Sequence, residues 1–169
     1  RLGTMLTDHG RENYVLSTKV GRIMVPDQTV GAEEDAYVAP LPFRPTYDYS
    51  YDAIMRSFEA SRQWIGVFSP DILYVHDIGG YTHGAAKNAV YLRQLLDSGL
   101  KALEGLKSSG AISAYGLGVN EVPVCLDVMR QADIDCILLA GRYTLLDRSA
   151  VAELLPLCAK KDTSLVVGG

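Results

Sequence analysis

The chain has 169 residues, of which 48% are hydrophobic and 21% charged, a composition typical of a globular domain and not of a disordered segment. Its formal net charge of -4 offers no basic surface, so neither nucleic acid nor an anionic membrane is expected as a partner. The sequence shows no apolar run of the roughly 18 residues that a membrane span requires, and residues 1–10 lack the apolar centre of a signal peptide.

The first 50 residues combine a helix end, a strand and a long loop. Residues 1–6 have the pattern of the end of a helix, with an exit at Gly10. Residues 14–19 predict a strand that ends at Lys19. Residues 25–50 are rich in proline and aromatic residues, and we expect an irregular loop that folds over a ligand.

A helix and a buried strand follow this loop. Ser50 is predicted to cap a helix with an apolar face that begins at Tyr51. Residues 72–75 form a continuous apolar run, which is typical of a parallel strand buried on both faces. His76 follows this strand directly, and the glycine-rich residues 79–84 predict a flexible loop.

The second half of the chain alternates helices with short apolar strands. The predicted helices cover residues 85–109, 121–131 and 151–161. The predicted strands cover residues 114–119, 136–140 and 164–167. Gly99 is expected to divide the first of these helices into two pieces.

Regular alternation of strands and helices with short connections predicts an α/β fold with parallel strands. Two architectures fit this order, an open doubly wound sheet and part of a (β/α)₈ TIM barrel. Residues 116–121 supply only two of the three glycines of the dinucleotide-binding fingerprint. A complete barrel needs about 250 residues. In the second architecture, residues 1–169 are a single domain, an incomplete barrel of about five parallel strands with alternating helices.

The three cysteines, Cys125, Cys136 and Cys158, are widely spaced and include no CxxC pair. This spacing argues against a disulfide framework and against a zinc site. Each cysteine lies within an apolar pattern, so we expect three buried thiols. The sequence therefore predicts no metal site and fits a protein of the reducing cytoplasm.

Three polar residues stand at the ends of three successive predicted strands: Lys19, His76 and Asn120. Each alone has an ordinary explanation, since Lys19 could be a solvated loop residue, His76 could bind a carbonyl and Asn120 could cap a helix. In parallel α/β proteins, however, functional residues collect at the carboxyl ends of the strands. Because all three side chains can donate hydrogen bonds, we interpret them as one candidate site.

Four segments resemble the aldo-keto reductase family, and most closely its branch of aldose (D-threo-aldose or L-fucose) 1-dehydrogenases and pyridoxal dehydrogenases. These segments are residues 14–22 (YVLSTKVGR), residues 43–52 with Arg56 and Ser57, residues 71–77 (DILYVHD) and residues 116–121 (GLGVNE). Their order and spacing agree with the family over almost the whole chain.

This resemblance implies a (β/α)₈ barrel that binds NAD or NADP at its mouth and acts on a small sugar or aldehyde. It implies a catalytic set of aspartate, tyrosine, lysine and histidine, in which Lys19 matches the lysine and His76 matches the histidine. It also assigns Asn120 to the carboxamide of the nicotinamide. A lysine ammonium near a tyrosine lowers the phenol pKa from its usual value near 10, and a neutral histidine orients the substrate oxygen.

The chain departs from the family pattern around the site. The family often has Ser-Asn where this chain has Asn120 and Glu121, and Ala140 replaces a common glutamine. The aspartate and tyrosine are expected before Arg1, and the last strand and phosphate-binding loop after Gly169. We therefore expect the 169 residues alone to be inactive. The two unpaired sheet edges of such a half-barrel would favour association, including a homo-oligomer.

The leading hypothesis is an NAD(P)-dependent oxidoreductase that converts an aldose to a lactone or oxidises the hemiacetal of pyridoxal. A second hypothesis is a catalytically weak, cofactor-binding regulatory barrel. A third is an enzyme that forms a Schiff base on Lys19. The third is ranked last because His76 matches the reductase pattern.

Overall fold

A computed structural model describes residues 2–34 and 37–168 of the chain. The predictions for the two chain ends included Arg1 and Gly169. Both residues lie outside the described residues. The strands are β1 (Ser17–Val20), β2 (Arg22–Pro26), β3 (Glu33–Glu34), β4 (Tyr37–Val38), β5 (Phe43–Tyr47), β6 (Ile72–His76), β7 (Ala114–Val119), β8 (Cys136–Ala140) and β9 (Ser164–Gly168). The helices are α1 (Leu2–Thr7), α2 (Tyr51–Ile65), α3 (Gly80–His83), α4 (Ala85–Gln94), α5 (Leu100–Ser108), α6 (Val122–Met129) and α7 (Leu154–Lys161).

The main sheet has the strand order β1-β6-β7-β8-β9, and every neighbouring pair in it is parallel. The spatial order therefore follows the order along the chain. A doubly wound sheet would contain a point at which this order reverses. The sequential order confirms the incomplete barrel and excludes the doubly wound alternative.

One face of this sheet packs against the helices. The strand residues buried on that face are Val20, Leu73, Val75, Leu117, Val119, Ile137 and Leu139. Since successive side chains on a strand point to opposite faces, the residues between them share the other face. That second face carries Lys19 beside Tyr74 in register, and His76 beside Gly118. The alternation therefore separates the core residues from the candidate site.

The helical region after β6 is more continuous than the sequence suggested. Gly99 does not break it, because a π-helical turn, Leu95–Gly99, joins α4 to α5. A Cβ at Gly99 would lie 2.2 Å from the carbonyl oxygen of Tyr49. Glycine is therefore required here for close approach of the helix to another backbone segment.

The prediction of an irregular loop over residues 25–50 is wrong. Strand β2 pairs antiparallel with β5, and the short strands β3 and β4 pair with each other between them. This pairing joins residues far apart in the sequence, which a local pattern does not reveal. Pro45 is accommodated because a two-stranded ribbon leaves one edge of each strand without a partner. That this segment covers a ligand stays a prediction.

Residues 79–84 also contain more structure than a flexible loop, because α3 occupies most of this segment. Within the described residues, none of the helices has the length and apolar character needed to cross a membrane. The three cysteines are free and buried, as predicted. Burial raises the pKa of each of their thiols, so they remain protonated at neutral pH.

Candidate active site

Lys19 and His76 lie on the same face of the sheet, on the neighbouring strands β1 and β6. Lys19 is in register with Tyr74, whereas His76 is in register with Gly118 of β7. The stem of Lys19 nevertheless reaches Gly118, since a Cβ placed there would lie 3.4 Å from Cε of the lysine. The lysine side chain therefore extends toward the carboxyl end of the sheet, where His76 lies.

His76 is held in its neutral form by its surroundings. Burial is the main cause that lowers the pKa of its imidazole to about 4, and the positive charges of Lys19 and Arg22 contribute to this lowering. The carboxylate of Asp77 acts in the opposite direction. At neutral pH the imidazole is uncharged, and it can donate a hydrogen bond without adding a second cation beside Lys19.

Asn120 does not cap the helix that follows it. Glu121 occupies the N-cap position of α6, and its side chain makes no capping bond. The amide Nδ2 of Asn120 instead donates to Oδ1 of Asp77 at 3.2 Å. The backbone carbonyl of Asn120 accepts a hydrogen bond of 2.6 Å from Nε of Arg142. Asn120 is thus fixed by its side chain and by its backbone.

Asp77 connects the predicted site residues to one another. Its Oδ2 lies 3.2 Å from Nε2 of His76 and 3.8 Å from Nη1 of Arg22, while Oδ1 binds Asn120. Its backbone N–H donates to the carbonyl of Gly118 at 2.8 Å. Asp77 is part of the strand motif of residues 71–77, but no local sequence pattern predicts a role for it. The structure places it between His76 and Asn120.

An aromatic cluster contacts the backbone of His76 through the hydroxyl of Tyr49. The buried Tyr49 hydroxyl donates to the carbonyl of His76 at 2.7 Å, and its oxygen lies 2.9 Å from Nε2 of His83. The rings of Tyr47 and Tyr91 meet His83 edge-on, at centroid distances of 4.6 and 4.7 Å. This cluster packs the segment before α2 against the segment after β6.

Glu121 has a structural partner that the sequence did not reveal. Its carboxylate accepts the backbone N–H of Tyr81 at 2.8 Å. Gly79 has φ +146, and a Cβ there would lie 1.8 Å from Oε1 of Glu121. The glycine therefore leaves space for the carboxylate, which fixes the start of α3 against the end of β7.

A cavity of about 300 Å³ at the β1 edge of the sheet is lined by Lys19, His76 and Arg22 on one side and by residues of α2, among them Ser57 and Trp64, on the other. A larger cleft of about 720 Å³ lies at the opposite end of the strands and is lined by Arg11, Asp71 and other residues. The larger cleft contains none of the predicted site residues, whereas the smaller cavity contains Lys19 and His76 but not Asn120. Among the residues that the structure describes, no group of three or more His, Cys, Asp or Glu side chains is placed to hold a metal ion.

The structure therefore brings Lys19, His76 and Asn120 to one end of the sheet, with Asp77 joining the last two. Position at the end of a predicted strand indicated the three from the sequence, directly after an apolar run for His76 and Asn120 and at the end of residues 14–19 for Lys19. Asp77 had the same signal, since it follows His76. Arg22 and Tyr49 had no local signal, because their contacts depend on pairing between distant segments.

These features define a class of protein, a parallel α/β barrel with a polar cluster at the carboxyl ends of its strands. The sequence profile described as "Aldo/keto reductase family" matches residues 1–168. The chain belongs to the aldo/keto reductase family of oxidoreductases.

Two curated relatives match nearly the whole chain. Pyridoxal 4-dehydrogenase of Microbacterium luteolum is 41% identical over 177 residues, covering 99% of this chain and 52% of the relative. D-threo-aldose 1-dehydrogenase of a Pseudomonas species is 33% identical over 171 residues, covering 98% of this chain and 49% of the relative. Both belong to the branch that the sequence motifs indicated, so that resemblance is confirmed. The chain spans about half the length of these curated relatives.

Solved structures agree with this assignment of the fold. A putative aldo-keto reductase from Pseudomonas aeruginosa superimposes with a TM-score of 0.67 at 26% identity, covering 99% of this chain and 54% of that one. An aldo/keto reductase from Klebsiella pneumoniae, in complex with NADP and acetate, gives a TM-score of 0.57 at 18% identity, covering 97% and 45%. The second likeness shows the fold alone. The chain is a partial (β/α)₈ barrel.

Proposed function

We propose that the full-length protein containing this chain is an NAD(P)-dependent oxidoreductase acting on an aldose or a related aldehyde or hemiacetal. The observation that carries this proposal is the position of Lys19, His76 and Asn120 at the carboxyl ends of adjacent strands. Residues 1–169 would then be the central part of one barrel domain, consistent with their match to about half of each curated relative.

The proposed reaction oxidises a cyclic hemiacetal to a lactone. The C–H bond at the anomeric carbon breaks, and its electron pair leaves as hydride, which the nicotinamide cofactor accepts when bound. The anomeric O–H proton passes to a base, and a C=O bond forms. In the reverse direction, an aldehyde or lactone carbonyl receives the hydride and the proton. The substrate oxygen therefore needs a proton acceptor and a hydrogen-bond partner at the site.

Lys19 would supply positive charge for the proton acceptor. The family's tyrosine phenol has an unperturbed pKa near 10 and is a poor base at neutral pH. A lysine ammonium nearby favours the phenolate, and a lowering of two pKa units corresponds to about 2.7 kcal/mol. Because the Lys19 side chain extends toward the carboxyl end of the sheet, its charge is available there. His76 would hold the substrate oxygen as a neutral donor, in agreement with its lowered pKa.

The side chain of Asn120 has the hydrogen-bonding groups needed to bind the carboxamide of a nicotinamide cofactor. The Asn120 amide donates one N–H to Asp77, which leaves its second N–H and its carbonyl oxygen for a ligand. A carboxamide offers the complementary acceptor and donor. This pairing would fix the orientation of the ring relative to His76. Whether the cofactor is NAD or NADP is decided by residues that bind the phosphates, so both are included in the test.

The test is to incubate the full-length protein with NAD or NADP and a set of aldoses, with pyridoxal as a separate substrate, and to follow reduced cofactor by absorbance. Pyridoxal is included because a relative named for it is 41% identical over 99% of the chain. Formation of NADH or NADPH with an aldose or with pyridoxal supports the proposal and identifies the substrate. Cofactor binding without turnover on any of these substrates would favour the regulatory alternative.

A further inference from the structure

Asp77 adopts a backbone conformation that ordinary residues avoid. Its φ is +52, and among the described residues only two other non-glycine residues, Ala39 and Asp162, have positive φ. Such conformations persist where the surroundings determine them strongly, and they are concentrated at functional sites. Here the N–H of Asp77 is held by the carbonyl of Gly118, which joins the end of β6 to β7.

The left-handed conformation places the carboxylate between the two predicted site residues. Oδ1 accepts from Nδ2 of Asn120 at 3.2 Å, and Oδ2 lies 3.2 Å from Nε2 of His76. Arg22, 3.8 Å from Oδ2, compensates the negative charge. The Asp77 side chain is 19% exposed, so these contacts are only partly accessible to water.

A carboxylate at this position restricts both neighbours. An ionised carboxylate only accepts hydrogen bonds, so the Asn120 amide must present its NH₂ group and cannot rotate by 180°. A negative charge beside Nε2 of His76 favours a proton on that nitrogen, which selects one of the two neutral tautomers. Asp77 therefore determines which atoms of Asn120 and His76 remain available to a ligand.

We propose that Asp77 is a positioning residue, which fixes the orientation of the Asn120 amide for the cofactor and holds His76 in the tautomer that is protonated on Nε2. This inference rests on the proposed function for its effect on activity, but the link from Asp77 to the His76 tautomer is independent of it. A purely structural role is the competing explanation, because Asp77 also joins two strand ends.

The deciding variant is Asp77→Asn in the full-length protein. Asparagine tolerates the left-handed conformation, so the substitution removes the charge without a new backbone strain. Its amide can donate as well as accept, so it no longer fixes the orientation of Asn120. Asp162→Asn is the matched control, because Asp162 has φ +55, is exposed and lies after α7 at the other end of the sheet.

Three measurements are made on the two variants and on the wild type. Long-range ¹H–¹⁵N spectra of protein labelled at histidine report the tautomer of His76, with its signals assigned by substitution of that residue. Fluorescence titration gives the Kd for NADH and NADPH. Steady-state kinetics give kcat and KM. The tautomer measurement needs neither bound cofactor nor turnover.

For Asp77→Asn we expect the His76 signals to move toward a mixture of the two tautomers and the cofactor to bind more weakly, with a higher Kd. We also expect kcat to fall about ten-fold or more, because small misplacements of reacting groups cost this much. Asp162→Asn should match the wild type in all three measurements. A His76 tautomer, Kd and kcat that stay unchanged in Asp77→Asn would overturn the proposal, whatever the change in thermal stability.

If the proposed function is wrong, the three measurements give a different result. A wild-type protein that neither binds nor reduces cofactor would refute the oxidoreductase assignment, while the spectra of Asp77→Asn would still decide the effect on His76. If Asp77→Asn does not fold, Asp77→Gly replaces it, because glycine adopts positive φ without steric cost. Wild-type tautomer signals in the folded Asp77→Gly protein would then reject the proposal.

Discussion

The side chain of Lys19 crosses to Gly118, two strands away in the sheet. Lys19 lies on β1 and Gly118 on β7, with Tyr74 of β6 between them, and a Cβ at Gly118 would be 3.4 Å from Cε of the lysine and 3.1 Å from Cβ of Tyr74. The lysine stem therefore uses the space left by the missing side chain. Glycine at this position contributes to the site through its size and not through its backbone angles.

Gly118→Ala should reduce turnover more than it reduces stability. The new methyl group would overpack Tyr74, at 3.1 Å from its Cβ, and would fill the space beside the stem of Lys19, at 3.4 Å from its Cε; such overpacking costs about 1–3 kcal/mol of unfolding free energy. Displacement of the lysine should lower kcat with little change in the Kd for the cofactor. Gly105→Ala on α5 is the control, because a Cβ there has nothing within 4 Å. Equal kcat values for the two variants would contradict this account of Gly118.

Lys19→Met should lower kcat on the order of 100-fold or more, the range associated with loss of proton-transfer assistance. The substitution keeps most of the stem and removes the charge, so cofactor binding should change little. Steady-state kinetics and fluorescence titration measure the two effects separately. Lys101→Met, an exposed position on α5, is the control. Wild-type turnover in Lys19→Met would exclude Lys19 from the mechanism.

Tyr49→Phe should destabilise the protein and disturb the segment that carries His76. The buried hydroxyl binds the carbonyl of His76, and its removal should cost about 1–3 kcal/mol of unfolding free energy. Urea unfolding followed by circular dichroism gives this value, and kcat should fall with it. Tyr51→Phe provides the comparison, because Tyr51 is 46% exposed at the start of α2. A Tyr49→Phe protein as stable as Tyr51→Phe would show that the hydroxyl contributes nothing.

Asp71 should make the stability depend on pH in the acid range. Burial alone would raise the pKa of its carboxyl, but hydrogen bonds of 2.7 Å from the N–H of Leu16 and 2.6 Å from Arg11 lower the pKa below its ordinary value. Its ionised form therefore stabilises the fold above about pH 4, and this contribution disappears as the pH falls through the folded-state pKa.

Asp71→Asn should accordingly lose about 1–2 kcal/mol of unfolding free energy at pH 7, and the deficit should shrink toward pH 3. Urea unfolding at several pH values measures this trend. Asp133→Asn is the control, because Asp133 pairs with Lys161 but its side chain is 92% exposed, and exposed ion pairs contribute little. A deficit that is constant with pH would show that the Asp71 charge does not stabilise the fold.

Much of the fold could be predicted because the strands of this sheet are continuous apolar runs and the helices have regular spacing. The predicted ends of β6, β7 and β8 agree with the structure within one residue. The ribbon of β2 and β5 was missed because its pairing is non-local, and four prolines made the segment resemble a loop. Local sequence patterns contain no information about such partners.

The candidate site shows the same division between local and non-local information. Lys19, His76 and Asn120 could be selected because each follows or ends a predicted strand. The contact of Asn120 with Asp77 depends on the alignment of β6 with β7, and a helix cap was the simpler local explanation for Asn120. The partner of Glu121 depends on the fold of residues 79–84, which glycine content alone suggested to be flexible.

The sequential strand order has a consequence for biosynthesis. Among the described residues, each strand of the main sheet pairs only with the main-sheet strands that precede and follow it along the chain. From β6 onward, a nascent chain leaving the ribosome would therefore offer an open edge to the next strand of the sheet, whereas β1 must wait for β6. Adding one strand at a time to the sheet keeps the entropic cost of loop closure small. The most recently added strand has an unpaired edge, and this edge is the place most open to mispairing until the following strand is made.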